Sequence, residues 1–181
     1  MGDPPKLRNK YERPKRMWDK DRLEEEKALK KDYGLKCMRE LWVISAELKK
    51  YRREARRLLS QTEEERKADS DKILSKLAKI GILKHGAVIE DILGLSIRDL
   101  LERRLQTIVV RKGLARTMSQ SRQLITHGFI SLDGRRVQTP SYLVKKDVEA
   151  TLSHSRPIEI SVKEAQPAPE AGAAKPQAQV L

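Results

Sequence analysis

The chain has 181 residues and a net charge of +13, from 39 Lys and Arg against 26 Asp and Glu. That length allows one or two small domains, and the cation surplus points to a polyanion as partner. No apolar run approaches the roughly 18 residues of a membrane span, the polar start Met1-Gly2-Asp3-Pro4-Pro5-Lys6 has no secretory core, and one cysteine with three dispersed histidines gives no disulfide framework, metal cluster or cofactor loop to expect.

Charge is unevenly distributed. Residues 1–60 carry a net +8, residues 61–100 a net −1 and residues 101–160 a net +6. Two basic blocks thus flank a near-neutral middle.

Residues 1–37 read as a basic extended arm with a short helix. Up to Arg16 the arm combines three prolines with Lys6, Arg8, Lys10, Arg13, Lys15 and Arg16. Proline opposes helix and like charges repel, so this part should stay extended until an anion neutralises it. Tyr11 and Trp18 punctuate the cations and offer rings for base stacking.

Residues 38–102 read as a helical domain. From Met38 to Leu59 the residues Leu41, Ile44, Leu48, Tyr51, Ala55 and Leu58 recur at steps of three and four, one apolar helix face. Lys49, Lys50, Arg52, Arg53, Arg56 and Arg57 crowd the remainder. Cys37, among apolar and basic residues, reads as a packing residue. Thr62 with Glu65 suggests a capping box opening a second helix that Gly81 stops. Residues 81–95, punctuated by glycine, read as a packed irregular connection. Ser96 with Asp99 marks another helix start, running from Ile97 to about Leu105.

Residues 103–162 read as a compact unit. Thr107–Lys112 is a short helix ended by Gly113. Thr117 with Gln120 caps a helix over Ser119–His127, which Gly128 ends, with Leu124 and Ile125 inward. Phe129–Leu132, the turn Asp133-Gly134 and Arg135–Val137 form a hairpin. Pro140 breaks the return strand. Val148–Leu152 and Ile158–Val162 alternate and read as strands. Residues 163–181, rich in Ala, Pro, Gln and Gly, read as a disordered tail. The fold class expected is α+β, a helical N-terminal domain followed by a small αα-β module.

Within that module a specific series of residues stands in order: Arg104-Leu105, Gly113-Leu114-Ala115, Thr117 through Ile125, His127-Gly128, Leu132-Asp133-Gly134, Val137, Pro140-Ser141 and Lys146-Asp147. The run resembles the S4-type RNA-binding domain. The preceding helices, the opening residues and the length are similar to the archaeal S4 family of small-subunit ribosomal proteins, over roughly residues 1–162. There are departures from the module's usual pattern: Gln106 replaces an acidic residue after Arg-Leu, Ser121 an alanine, Phe129 a histidine, Asp133 an asparagine and Lys146 a glycine. The zinc-binding cysteine cluster of some bacterial members is absent.

The resemblance implies a non-enzymatic constituent of the small ribosomal subunit, located with the ribosome in the cytoplasm. It implies direct binding to small-subunit (16S) rRNA at a multi-helix junction and help in nucleating assembly. Ribosomal protein S5 is then a neighbour, near the side where messenger RNA enters. Two other classes share the module: RNA-modifying enzymes, for which residues 1–100 offer no nucleophile–base pair or paired catalytic carboxylates, and assembly factors that bind pre-rRNA and leave. A membrane-surface helix is a weaker reading, because the apolar stripe of the basic helix is needed for a core.

Phosphates demand cations and hydrogen-bond donors, and arginine grips them with a planar fork. The candidate RNA contacts are therefore Arg52, Arg53, Arg56 and Arg57 on the basic helix. In the module they are Arg104, Arg111, Lys112, Arg116, Thr117, Ser119, Arg122, Gln123, Thr126, His127, Arg135 and Arg136. The helix opening near Ser119 presents backbone N–H groups to an anion. Arg122 has a competing role in a salt bridge to Asp147 or Glu149, and His127 one as a satisfied helix-end histidine. Arg135 and Arg136, adjacent on a strand, should point to opposite faces, leaving one for RNA.

Overall fold

The computed structural model describes residues 9–84 and 86–155. The first eight residues of the expected arm, the expected strand Ile158–Val162 and the expected tail lie outside them. The fold is α+β: α1 (Lys20–Asp32), α2 (Met38–Leu59), α3 (Glu63–Ile80), α4 (Ile89–Gly94), α5 (Ile97–Glu102), α6 (Leu105–Arg111), α7 (Met118–Thr126), β1 (Ile130–Leu132), β2 (Arg135–Arg136), α8 (Lys146–Glu149) and β3 (Ser153–His154).

The longest helix, α2, organises the first half. Its apolar stripe buries Leu41, Ile44, Leu48, Ala55 and Leu58, and it packs against α1, α3, α4 and α5. Tyr33, Leu35, Leu77, Ile89, Ile92, Leu95, Leu100 and Leu101 complete that core. Each such aliphatic side chain contributes about 1.5–3 kcal/mol on burial, so packing rather than helix propensity holds these helices. Cys37 is half-buried at the N-cap of α2. Thr62 occupies the N-cap of α3 and makes no side-chain cap bond among the described residues, and the Glu65 side chain of the expected capping box lies outside them. Gly81 ends α3 at φ +81, where a side chain would be strained.

A second core begins after the fifth helix. It gathers Leu105, Ile108 and Val109 of α6, Leu124 and Ile125 of α7, Ile130 and Leu132 of β1, and Ala115, Val144 and Leu152. The sheet order is β2-β1-β3, all antiparallel. Ser131 pairs with Arg136 on one side and with Ser153 on the other. Asp133 and Gly134, at φ +48 and +74, make the two-residue turn that matches strand twist.

Three expectations are corrected. Residues 81–95 contain the helix α4, because Ile89 and Ile92 are three apart and the Asp91 carboxylate accepts the Val88 N–H at 2.9 Å. The helix from Ile97 stops at Glu102. Arg104 is extended and bridges to Leu143, while the Tyr142 and Pro140 carbonyls accept the first N–H groups of α6, from Leu105 and Gln106. Those donors would otherwise lack partners at a helix start. Val148–Leu152 is not a strand. Val148 and Leu152 are four apart, a spacing that also suits one helical turn, and α8 forms there with β3 following it.

Candidate nucleic-acid interface

The stripe that sends Leu41, Ile44 and Leu48 inward turns Lys49, Lys50, Arg53, Arg56 and Arg57 of α2 out to solvent. Among the described residues none of these five has an ion-pair partner. The arm folds back beside them. Its Tyr11 ring meets Trp42 with centroids 5.9 Å apart at 41°. Between arm and helix lies a groove of about 920 Å³, lined by Lys10, Arg13, Lys15, Arg22, Lys49, Lys50, Arg53 and Arg57, with Glu12 and Glu54 as its acids. Arg52 is different. It is half-buried and donates to the Leu95 carbonyl at 2.5 Å, so it ties α2 to the end of α4 and is less free to reach a ligand than its exposed neighbours.

The two cores meet along a polar seam centred on Glu40. Its carboxylate accepts from Arg104 at 2.8 Å and from Arg122 at 2.8 and 3.2 Å. Burial pushes the Glu40 carboxyl up, but the hydrogen bonds and charges of Arg122 and Arg104 outweigh it and hold the group below its ordinary range. Arg104 is only 2% exposed. It is therefore corrected from a phosphate ligand to an internal ion-pair partner. Arg122 pairs with Glu40 rather than with Asp147 or Glu149, and Glu149 is taken by Arg103 at 2.9 Å.

Gln106 fastens the same seam. Its amide nitrogen donates to the Met118, Gly34 and Tyr33 carbonyls at 2.9, 3.2 and 3.3 Å. An ionised acid here would face three carbonyls without a proton to give, whereas the amide supplies the donor. Gly34, at φ +56, is pressed so closely that an added Cβ would lie 2.6 Å from the Met118 Cβ. On the flank, Glu102 accepts from the Tyr33 hydroxyl at 2.9 Å and from Arg111 at 3.0 and 3.2 Å. Burial, then the bond to Glu102, pushes the Tyr33 hydroxyl up to about 12. Arg111 is exposed but already paired, and Lys112 donates to the Glu149 carbonyl.

Beyond the seam, α7 opens as the capping signature requires. The Thr117 hydroxyl accepts the Gln120 N–H at 3.1 Å, and the Gln120 side chain accepts the Arg116 N–H at 2.9 Å. Thr117 is thereby committed to the helix cap. Ser119, Gln123 and Thr126 line a cleft of about 900 Å³ with Arg122. The opposite wall is Lys27, Lys30, Lys31 and Lys36, which the candidate set lacks. Lys27, Lys30 and Lys31 are three and four apart, so helical spacing is a usable signal. Thr126 turns its hydroxyl back to the Arg122 and Gln123 carbonyls at 3.0 Å. His127 is exposed at the C-cap of α7, and Arg116 is exposed before its start. Arg135 and Arg136 are both exposed on the edge strand, so exposure does not single one out. Arg136 donates to the Ser155 hydroxyl at 3.3 Å.

Among the described residues no group of three or more His, Cys, Asp or Glu is placed to hold a metal ion. Nor is any helix long and apolar enough to cross a membrane.

Comparison with known proteins bears on the same residues. The S4 domain family matches residues 103–149. The Small ribosomal subunit protein uS4 of Ignicoccus hospitalis is 44% identical over 155 residues, covering 86% of this chain and 93% of that protein. The protein of the same name from Methanothermobacter thermautotrophicus is 41% identical over 170 residues, covering 93% of this chain and 99% of its own.

Proposed function

This chain belongs to the uS4 family of small ribosomal subunit proteins, and from that premise we propose that it binds small-subunit (16S) rRNA directly and helps nucleate assembly of the subunit. Its role is structural: the family consists of ribosomal constituents, not enzymes. The observation that carries the RNA reading is the outer face of α2, where five cations stand exposed without an ion-pair partner among the described residues. Arg57 feels the carboxylate of Asp69, but the face keeps a surplus of positive charge, and an RNA backbone neutralises it by displacing condensed counterions.

The polar face of α7 with the lysines of α1 forms a second proposed contact, suited to sugar and phosphate recognition of folded RNA. Ser119 and Gln123 line it, and exposed Arg116, His127, Arg135 and Arg136 are further proposed contacts of the module. The resemblance adds ribosomal protein S5 and messenger RNA at its entrance side as proposed neighbours. Sedimentation of a tagged chain tests the role. The tagged chain should stay on mature small subunits after a high-salt wash, and the isolated chain should retain 16S rRNA with no other protein present. Finding it only on precursor particles would instead make it an assembly factor that departs.

A further inference from the structure

We propose that Trp18 is a stacking platform for an unpaired nucleobase of the RNA, held beside the basic groove between the arm and α2; this rests on the rRNA-binding reading above. Of the chain's two tryptophans, Trp42 is accounted for internally, against Tyr11 and with its indole N–H on Glu26. Trp18 is 91% exposed. None of the described residues covers its ring, although an indole gains much from burial.

The exposure does not come from a loose chain. The Arg22 guanidinium donates to the Arg16 and Met17 carbonyls at 3.0 and 3.1 Å, fixing the backbone that leads into Trp18. Arg22 is itself held by Glu26 at 2.6 Å, and Glu26 also accepts from Trp42. One residue later Asp19 occupies the N-cap of α1. The indole is thus presented from a clamped turn, and a group fixed before binding loses little freedom on contact.

The surroundings select the occupant. Exposed Arg13, Lys15, Arg16 and Lys20 flank the ring in sequence, against Glu12, Asp19 and Asp21, and Met17 is the one large apolar side chain exposed in the same turn among the described residues. A protein-docking patch needs contiguous apolar area with charges kept to its rim. One bare indole among cations suits a strand whose phosphates meet the cations and whose base lies on the ring. Arg22, which builds the turn, also lines the groove that carries Lys49 and Arg53.

The test uses the full chain with a 16S rRNA transcript. Trp18→Leu keeps apolar bulk but removes the flat ring, and it is expected to bind about tenfold more weakly, the order that base–aromatic stacking contributes. The slope of log affinity against log salt should not change, because stacking releases no counterions. Trp18→Phe should recover most of the loss. In a Trp42→Phe background, the fluorescence of Trp18 should be quenched in step with RNA binding. Unchanged affinity for Trp18→Leu with unquenched Trp18 fluorescence would overturn the proposal, as would a Trp18→Leu defect confined to particles containing other proteins, which would make the ring a protein contact. A wild-type chain that fails to bind the transcript would instead overturn the RNA reading itself.

Discussion

The outer face of α2 and the seam around Glu40 are both rich in arginine, yet they use it in opposite ways. On α2, Arg53, Arg56 and Arg57 face solvent with no ion-pair partner among the described residues. At the seam, Arg104 and Arg122 converge on one carboxylate. The first set keeps its charge available to a ligand. The second set uses its charge to join two cores. Counting basic residues therefore overstates an RNA face, and the position of acids decides which cations remain available.

The largest expected effect lies at the seam. Glu40→Ala would leave Arg104 buried without a counter-charge, and chemical denaturation should show a loss of about 3–5 kcal/mol. A loss below about 1 kcal/mol would put the pair in the class of exposed salt bridges and erase the contrast with α2. The sign of the pH dependence follows from the same geometry. The folded Glu40 carboxyl sits below its ordinary 4.5, so its stabilisation is complete above pH 4.5. It is lost as pH falls through the folded value. Below pH 4.5, stability should accordingly depend less steeply on pH in Glu40→Gln than in the wild type.

A smaller effect sharpens the comparison through packing. Gly34→Ala introduces a side chain at φ +56 and 2.6 Å from the Met118 Cβ, and should cost about 2–4 kcal/mol from backbone strain plus overpacking. Gly113→Ala is the control. It has a similar φ of +73 but open space around it, so strain alone should cost about 1–2 kcal/mol. Equal losses at the two sites would mean that the close approach of the Gly34 turn to α7 contributes nothing.

These contrasts also show what is legible in the sequence. The stripe of α2, the Ser96–Asp99 and Thr117–Gln120 caps and the Asp133-Gly134 turn depend on residues within a few positions of one another, so local pattern suffices. The seam depends on Glu40 meeting residues 64 and 82 positions away. No local periodicity carries that information, so in sequence Arg104 and Arg122 look like the arginines of α2. Arg52 is indistinguishable from them for a related reason. It lies at the edge of the basic face, and only the position of the Leu95 carbonyl draws it inward. The lysines of α1 escape the candidate set because they fall in a segment whose composition reads mainly as an extended arm, and tertiary packing brings them opposite Gln123 and Thr126.

The smallest effect on folding should accompany the clearest effect on binding. Arg53→Ala, Arg56→Ala and Arg57→Ala should each leave stability within about 0.5 kcal/mol of the wild type. The most direct measurement is the salt dependence of 16S rRNA binding by these variants. Each should lower affinity and make the log–log slope shallower by about 0.7–0.9 for every phosphate it no longer neutralises. If the triple variant folds normally and binds with the affinity and slope of the wild type, the exposed face of α2 does not hold RNA.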